Sequence, residues 1–149
     1  MNEGLPLELC NCHALRRASR HLTQLYDRHL APHGLTVSQY ALVARLVRCG
    51  PRSIHVLAHE LLMDRTTLAR NLKPLERDGL ISLEIDANDR RSKTVDVTEL
   101  GRSIIRRAQP AWEAAQRHFE VAFGSARATQ LRTLLQAVAE CELVDPQPD

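Results

Sequence analysis

Three groups of residues in this chain have types and spacings that can do chemistry. The first is "CNCH" at residues 10–13, where Cys10 and Cys12 stand one residue apart with His13 behind them. Thiolates attack peroxides, and a thiol-rich cluster suits soft metals such as copper(I) or zinc. The second is "DRTTLARNLK" at 64–73. At helical spacing its Arg65, Thr66, Thr67, Arg70, Asn71 and Lys73 all stand off the Leu68/Leu72 side. Arginine can pair with guanine through two hydrogen bonds and asparagine with adenine, while threonine can meet a thymine methyl or a phosphate. The third is "NDRRSK" at 88–93, a short polar run carrying Asp89, Arg90, Arg91 and Lys93. Arginines at such a tip can reach into a minor groove.

Side chains of this kind act only when regular elements hold them. The run "LRRASRHLTQLYDRHL" spaces Leu15, Ala18, Leu22 and Leu25 by 3, 4 and 3, the stripe of a long helix that Pro32 and Gly34 end. Thr36 is the expected N-cap of a second helix with Val37, Tyr40, Ala41, Ala44 and Val47 on one face, stopped by Gly50-Pro51. A short helix follows with Leu57, Ala58 and Leu61 inward. Asp64 then caps a helix whose apolar face is Leu68, Leu72 and Leu75. Pro74 should weaken or bend it, and Gly79 closes it.

The period then changes to two. Ile81, Leu83 and Ile85, and later Val95 and Val97, alternate with polar residues on either side of "ANDRRS". This predicts a β-hairpin with a charged tip. Beyond it, Leu100, Ile104, Ala108, Ala111, Ala115, Phe119 and Ala122 predict a seam of over twenty residues, kinked at Pro110. A last helix carries Leu131, Leu134, Leu135 and Val138 on one face, and "VDPQPD" reads as a frayed tail.

Composition narrows the function classes. A chain of 149 residues that is 44% hydrophobic and 26% charged is a one-domain globular chain. No apolar run approaches the ~20 residues needed to span a bilayer, and no secretion signal is read at the N-terminus. Four cysteines without such a signal predict reduced thiols in the cytoplasm rather than a disulfide framework. Residues 1–63 carry seven Lys/Arg against four Asp/Glu, residues 64–112 ten against eight, and residues 113–149 three against six. The basic bias lies in the first two stretches, compatible with a phosphate-facing surface. No glycine-rich phosphate loop, HExxH motif or nucleophile elbow is present, so no enzyme and no cofactor are expected.

Helix, helix, short turn, helix, hairpin is the order of a winged helix-turn-helix. Its second helix presents polar residues to the major groove while the first holds its apolar side. The fold expected is mainly α with a small β-hairpin wing. "LAHELLMDRTTLARNLKPLERDGLI" followed by "DANDRRSKTVDVTELGR" resembles the MarR family of bacterial transcription regulators, in Asp89-Arg90-Arg91, Thr98, Gly101 and the Leu75…Gly79-Leu80 helix end. The resemblance covers residues 7 to 143. It implies a homodimer with dimerisation helices at 7–33 and 99–143 and a DNA-binding lobe at 36–98, each lobe reading half of a palindromic operator in double-stranded DNA. It further implies that Arg91 enters the minor groove and that Asp89 helps to orient it. The expected protein is a repressor, released by a small effector or by thiol oxidation. The alternative is a thiol-redox or metal-handling protein built on Cys10, Cys12 and His13.

Three readings of the sensing end stay open. Relatives in the family bind small aromatic or phenolic anions, for which Arg16, Arg20, Tyr26, Tyr40 and Trp112 are candidate lining residues. The first helix is also similar to the organic-hydroperoxide-sensing branch. A gapless alignment on Tyr26, Gln39 and Tyr40 sets Cys12 at that branch's peroxidatic cysteine, with Arg16 and Val37 where the branch carries further tyrosines. An early helical position favours the thiolate through the helix dipole, and Cys10 would be a resolving thiol. For a metal, two helical thiols at 10 and 12 would point roughly 200° apart. Closing on one ion therefore needs an extended segment or ligands from elsewhere.

Overall fold

A computed structural model of the chain describes residues 6–143; the run "VDPQPD" at 144–149 lies outside the described residues. The chain divides into two compact units, Met1–Ala115 and Gln116–Asp149.

The first unit begins with a single 3-10 turn, Leu7–Leu9, and helix α1, Asn11–Leu30. A second 3-10 turn, Ala31–His33, ends at Gly34, whose φ of 70° suits a residue without a side chain. Helix α2, Val37–Cys49, starts on a reciprocal cap in which the Thr36 hydroxyl accepts the Gln39 N–H and the Gln39 side chain accepts the Thr36 N–H. Its next free N–H, on Val37, donates to Asp27 of α1 at 2.7 Å. Strand β1, Arg52–Ser53, leads into α3, Ile54–Glu60. Helix α4, Arg65–Arg77, runs unbroken through Pro74. Strands β2, Ile81–Ile85, and β3, Lys93–Val97, form the expected hairpin. All pairings are antiparallel in the order β1-β3-β2, with Arg52 opposite Val95 and Leu83 opposite the same residue on the other side. The two-residue β1 was not anticipated, because so short a strand has no periodicity to detect.

The core of this unit joins α2, α3, α4 and the sheet. Leu46, Leu57, Leu68 and Val95 are wholly buried within it, as is Leu30 at the end of α1. Leu68, Leu72 and Leu75 on α4, and Leu57 and Ala58 on α3, are buried as their spacing requires. Two expected faces need correction. On α2 the buried residues are Tyr40, Leu42, Val43 and Leu46, whereas Ala41 and Val47 are exposed. Packed between α1 and β3, this helix turns its large residues inward on two sides, so no single stripe describes it. On helix α5, Glu99–Phe123, the expected seam residues Ala108 and Ala115 are buried and Ile104 and Ala111 half-buried, but in the first turns the buried residues are Gly101 and Ile105 and Leu100 is exposed. The buried line starts one residue later than the periodic seam because α5 is seated through Gly101, where contact is closest. Helix α5 also runs unbroken through Pro110.

The first half of α1 stays in solvent, with Leu15 and Ala18 exposed and Leu22 and Leu25 half-buried. In the second unit, helix α6, Ser125–Glu140, buries only Ala128. Its row Leu134, Leu135 and Val138 is 65%, 37% and 57% exposed, too open to be a core face. The end of α5 in this unit stacks Phe119 on Phe123, with the Arg127 guanidinium 4.2 Å over the Phe123 ring.

Candidate nucleic-acid interface

Helix α4 is aimed by its first residue. Asp64 is extended, and its carboxylate accepts the Thr67 N–H at 2.8 Å and the Thr67 hydroxyl. Those two bonds, the hydroxyl's first, hold the Asp64 carboxyl below its usual range. From this start Arg65, Thr66, Ala69, Arg70 and Lys73 line one shallow recess on the surface of the helix. Two of the predicted reading residues stand aside from it. Thr67 is half-buried and spends its hydroxyl on Asp64, and the half-buried Asn71 donates its amide to the Met63 sulfur at 3.6 Å. Asn71 lines instead a cleft shared with Ser38 and Gln39 at the start of α2. Ala69 was missed by sequence reasoning, which looked for hydrogen-bonding side chains. Its exposed methyl sits in the middle of the face and can meet a thymine methyl.

The frame behind α4 is tied by ions and by one close approach. Glu60, at the end of α3, receives Arg45 of α2 at 3.0 Å and Arg52 of β1 at 3.4 Å. The Arg45 hydrogen bond, and then the two positive charges, pull the Glu60 carboxyl below its usual range against partial desolvation. At the base of the wing the Thr98 hydroxyl donates to the Gly79 carbonyl at 2.6 Å and accepts the Gly101 N–H at 3.0 Å. The family-like Thr98 and Gly101 thus dock α5 on the hairpin.

The wing tip is closed by two aspartates. Asp86 Oδ1 accepts the N–H groups of Asn88 and Asp89 at 2.8 and 3.2 Å, and its Oδ2 accepts the Thr94 hydroxyl at 3.1 Å. These bonds, the one from Asn88 first, hold the Asp86 carboxyl below its usual range. Asp89 Oδ1 accepts the Arg91 N–H at 2.9 Å, so Asp89 shapes the backbone that carries Arg91. Arg90, Arg91 and Lys93 are exposed. Neither they nor Arg65, Arg70 and Lys73 form an ion pair among the described residues, which leaves six cations available to phosphate.

The sensing candidates fall into separate places. Tyr40 is buried and stacks on the half-buried Trp112 with ring centres 6.0 Å apart; burial, and then the Glu113 charge, raise its phenol pKa. Tyr26 is half-buried on α1. Arg16 and Arg20 are exposed, and Arg20 lines an open recess with Arg17, His21 and Gln24. Cys10 is not helical: it is extended and caps α1, its sulfur accepting the His13 N–H at 3.4 Å. Cys12 is exposed in the first turn of α1. Among the described residues no three His, Cys, Asp or Glu side chains are grouped to hold a metal. Nor is any helix among them long and apolar enough to cross a membrane.

Residues 33–92 match the MarR family. The homoprotocatechuate degradative operon repressor of Escherichia coli is 33% identical over 104 residues, 70% of each chain. Among solved structures, the M. tuberculosis transcriptional regulator MosR in complex with DNA is 35% identical, with a TM-score of 0.77 over 90% of this chain and 99% of that one. CouR of Rhodococcus jostii RHA1, bound to p-coumaroyl-CoA, shares the fold at 21% identity, with a TM-score of 0.76 over 93% and 98%. The first two of these relatives are an operon repressor and a transcriptional regulator. A capped helix with a cationic face, a hydrogen-bonded wing beside it and this likeness over nine-tenths of the chain lead to one conclusion: the chain belongs to the MarR family of transcriptional regulators.

Proposed function

We propose that the protein is a dimeric repressor that reads a palindromic site in double-stranded DNA through α4 and the wing, and that a small aromatic acid releases it. The carrying observation is the set of unpaired cations on two neighbouring features, Arg65, Arg70 and Lys73 on α4 and Arg90, Arg91 and Lys93 on the wing. Thr66 and Ala69 lie on the same helix face for base contact. The exposed rows on α6 and early α1 support the dimer, because such rows are what a second copy would cover. The expected partition is two dimerisation segments, 7–33 and 99–143, around a lobe at 36–98. A regulator of this kind works beside DNA in the cytoplasm.

Arg91→Ala is expected to weaken binding to the duplex that the wild-type protein selects from a randomised DNA library. The loss is about 1–3 kcal/mol, roughly 5- to 150-fold. Fluorescence anisotropy over a salt series measures it, and the stoichiometry of the same complex, two chains per duplex, checks the dimer. Wild-type affinity at every salt concentration would remove the wing from the interface.

The aromatic effector rests on the stacked Tyr40–Trp112 pair. The E. coli relative is named for an operon that degrades an aromatic acid, and CouR holds an aromatic thioester. The exposed thiols favour a second reading. The Cys12 thiolate would attack a hydroperoxide oxygen, giving Cys12 sulfenic acid and an alcohol, after which a second thiol would expel water and form a disulfide. Homoprotocatechuate and cumene hydroperoxide, added separately to the DNA complexes of wild type and Cys12→Ser, separate the two. The aromatic acid is expected to release both proteins. Release by the peroxide alone, and only from wild type, would replace the first reading with the second.

A further inference from the structure

The loop at residues 86–92 is an exposed part of the surface proposed to face DNA. Every residue from 87 to 91 is exposed, and the buried core cluster includes none of residues 86–92. A polar loop of this kind would ordinarily sample many conformations and lose that freedom on binding. Here it is closed on itself. The Asp86 N–H donates to the Ser92 carbonyl at 2.9 Å, and the Ser92 N–H donates to the Asp89 carbonyl at 2.9 Å. The Asp86 side chain adds three acceptor bonds, two to the tip backbone and one across the hairpin to Thr94.

A carboxylate is an odd choice for an arm that approaches phosphates, because like charges repel. It is also the strongest acceptor available for backbone N–H groups. Both oxygens are used: Oδ1 holds the backbone just before Arg90 and Arg91, and Oδ2 ties the start of the loop to Thr94 on β3. We propose that Asp86 is the positioning residue of the wing, fixing the loop before DNA arrives so that Arg91 is presented rather than searched for. This rests on the reading of the wing as a DNA-contacting arm. Asp89 then sets the local backbone of Arg91, and Asp86 sets the loop as a whole.

A positioning role differs from a general contribution to stability. Far below the thermal midpoint nearly every molecule is folded, so lost stability alone leaves affinity unchanged. The test measures binding at such a temperature for Asp86→Ala, Asp86→Asn, Arg91→Ala and the Asp86→Ala/Arg91→Ala double variant. The probe is the duplex that wild-type protein selects from a randomised library. Asp86→Ala is expected to weaken binding roughly tenfold, the scale of a charge-assisted hydrogen bond. Asp86→Asn should recover most of this, since its amide oxygen still accepts the Asn88 and Asp89 N–H groups. Because both residues act through one contact, the double variant should bind within about twofold of Arg91→Ala alone. Amide exchange should quicken at residues 88–92 and not in α4. Losses that multiply in the double variant, an asparagine that rescues nothing, or an Asp86→Ala protein that binds like wild type would each overturn the proposal. If Arg91→Ala is itself without effect, the wing reading fails; if only Asp86→Ala is, the positioning role alone fails.

Discussion

Gly101→Ala is expected to cost the fold roughly 3 kcal/mol or more, a large share of a domain's total stability. A β-carbon at this position would lie 2.2 Å from the Leu80 carbonyl oxygen, 2.8 Å from Val97 Cγ2 and 3.1 Å from the Leu80 carbonyl carbon. Two of these three atoms are backbone, so no rotamer change relieves the clash. Nor is that backbone free to retreat. The Leu80 carbonyl accepts the Thr98 N–H at 3.0 Å, and the neighbouring Gly79 carbonyl accepts the Thr98 hydroxyl at 2.6 Å. Helix α5 would have to lift away from the wing base and lose both bonds. Two effects oppose this loss: alanine has about 1 kcal/mol better helix propensity, and it restricts the unfolded chain by a few tenths to about 1 kcal/mol. Both are smaller than a backbone overlap. Urea denaturation of the purified variant measures the difference, and a midpoint at or above the wild-type value would show that α5 is not seated through Gly101.

Leu68→Ala is the second large effect, with an expected loss of about 2–5 kcal/mol. Leu68 has no solvent exposure and lies on the inner side of α4, one turn from Leu72 and directly behind the cationic face. Truncation removes three carbons from a packed site. Leu57, Leu72 and Val95 of the same buried cluster belong to three different elements and cannot all move together to close the gap. The cationic side chains are untouched, so the substitution acts on the fold and not on the interface. Circular dichroism during thermal unfolding reads the change. A melting temperature equal to wild type would mean that α4 is held by something other than this core.

These two positions also show how far sequence reasoning reaches. Leu68 was legible, because Leu68, Leu72 and Leu75 repeat at helical spacing behind the Asp64 cap. The tight packing at Gly101 was not, since its contacts lie on a strand and a loop some twenty residues away or close by in chain but out of periodic register. Gly101 entered the sequence reading only through the family resemblance. Among the site residues, Arg65, Thr66, Arg70, Lys73, Arg90, Arg91 and Lys93 are exposed as expected, because charged side chains at polar positions of a helix or hairpin seldom have anywhere else to go. Thr67 and Asn71 were expected on the same face. They are drawn aside by Asp64 and Met63, partners that a helical period does not reveal.

Local order in the sequence was sufficient for what is local in the molecule. It determined the helices with their caps at Thr36 and Asp64, the period-two hairpin, the charged tip and, through the motif around Gly79, Asp89 and Arg91, the family. These depend on residues within one or two turns of each other, where spacing and side-chain chemistry act directly. Tertiary structure alone decided which side of α2 is buried, where α5 is seated, that β1 completes the sheet and that Cys10 caps α1 rather than joining it. It also decided that Asp86, one more polar residue at the end of a strand, closes the arm that carries Arg91. Each of these outcomes is a competition between partners distant in sequence, and only packing and hydrogen-bond satisfaction in the folded chain determine which partner wins.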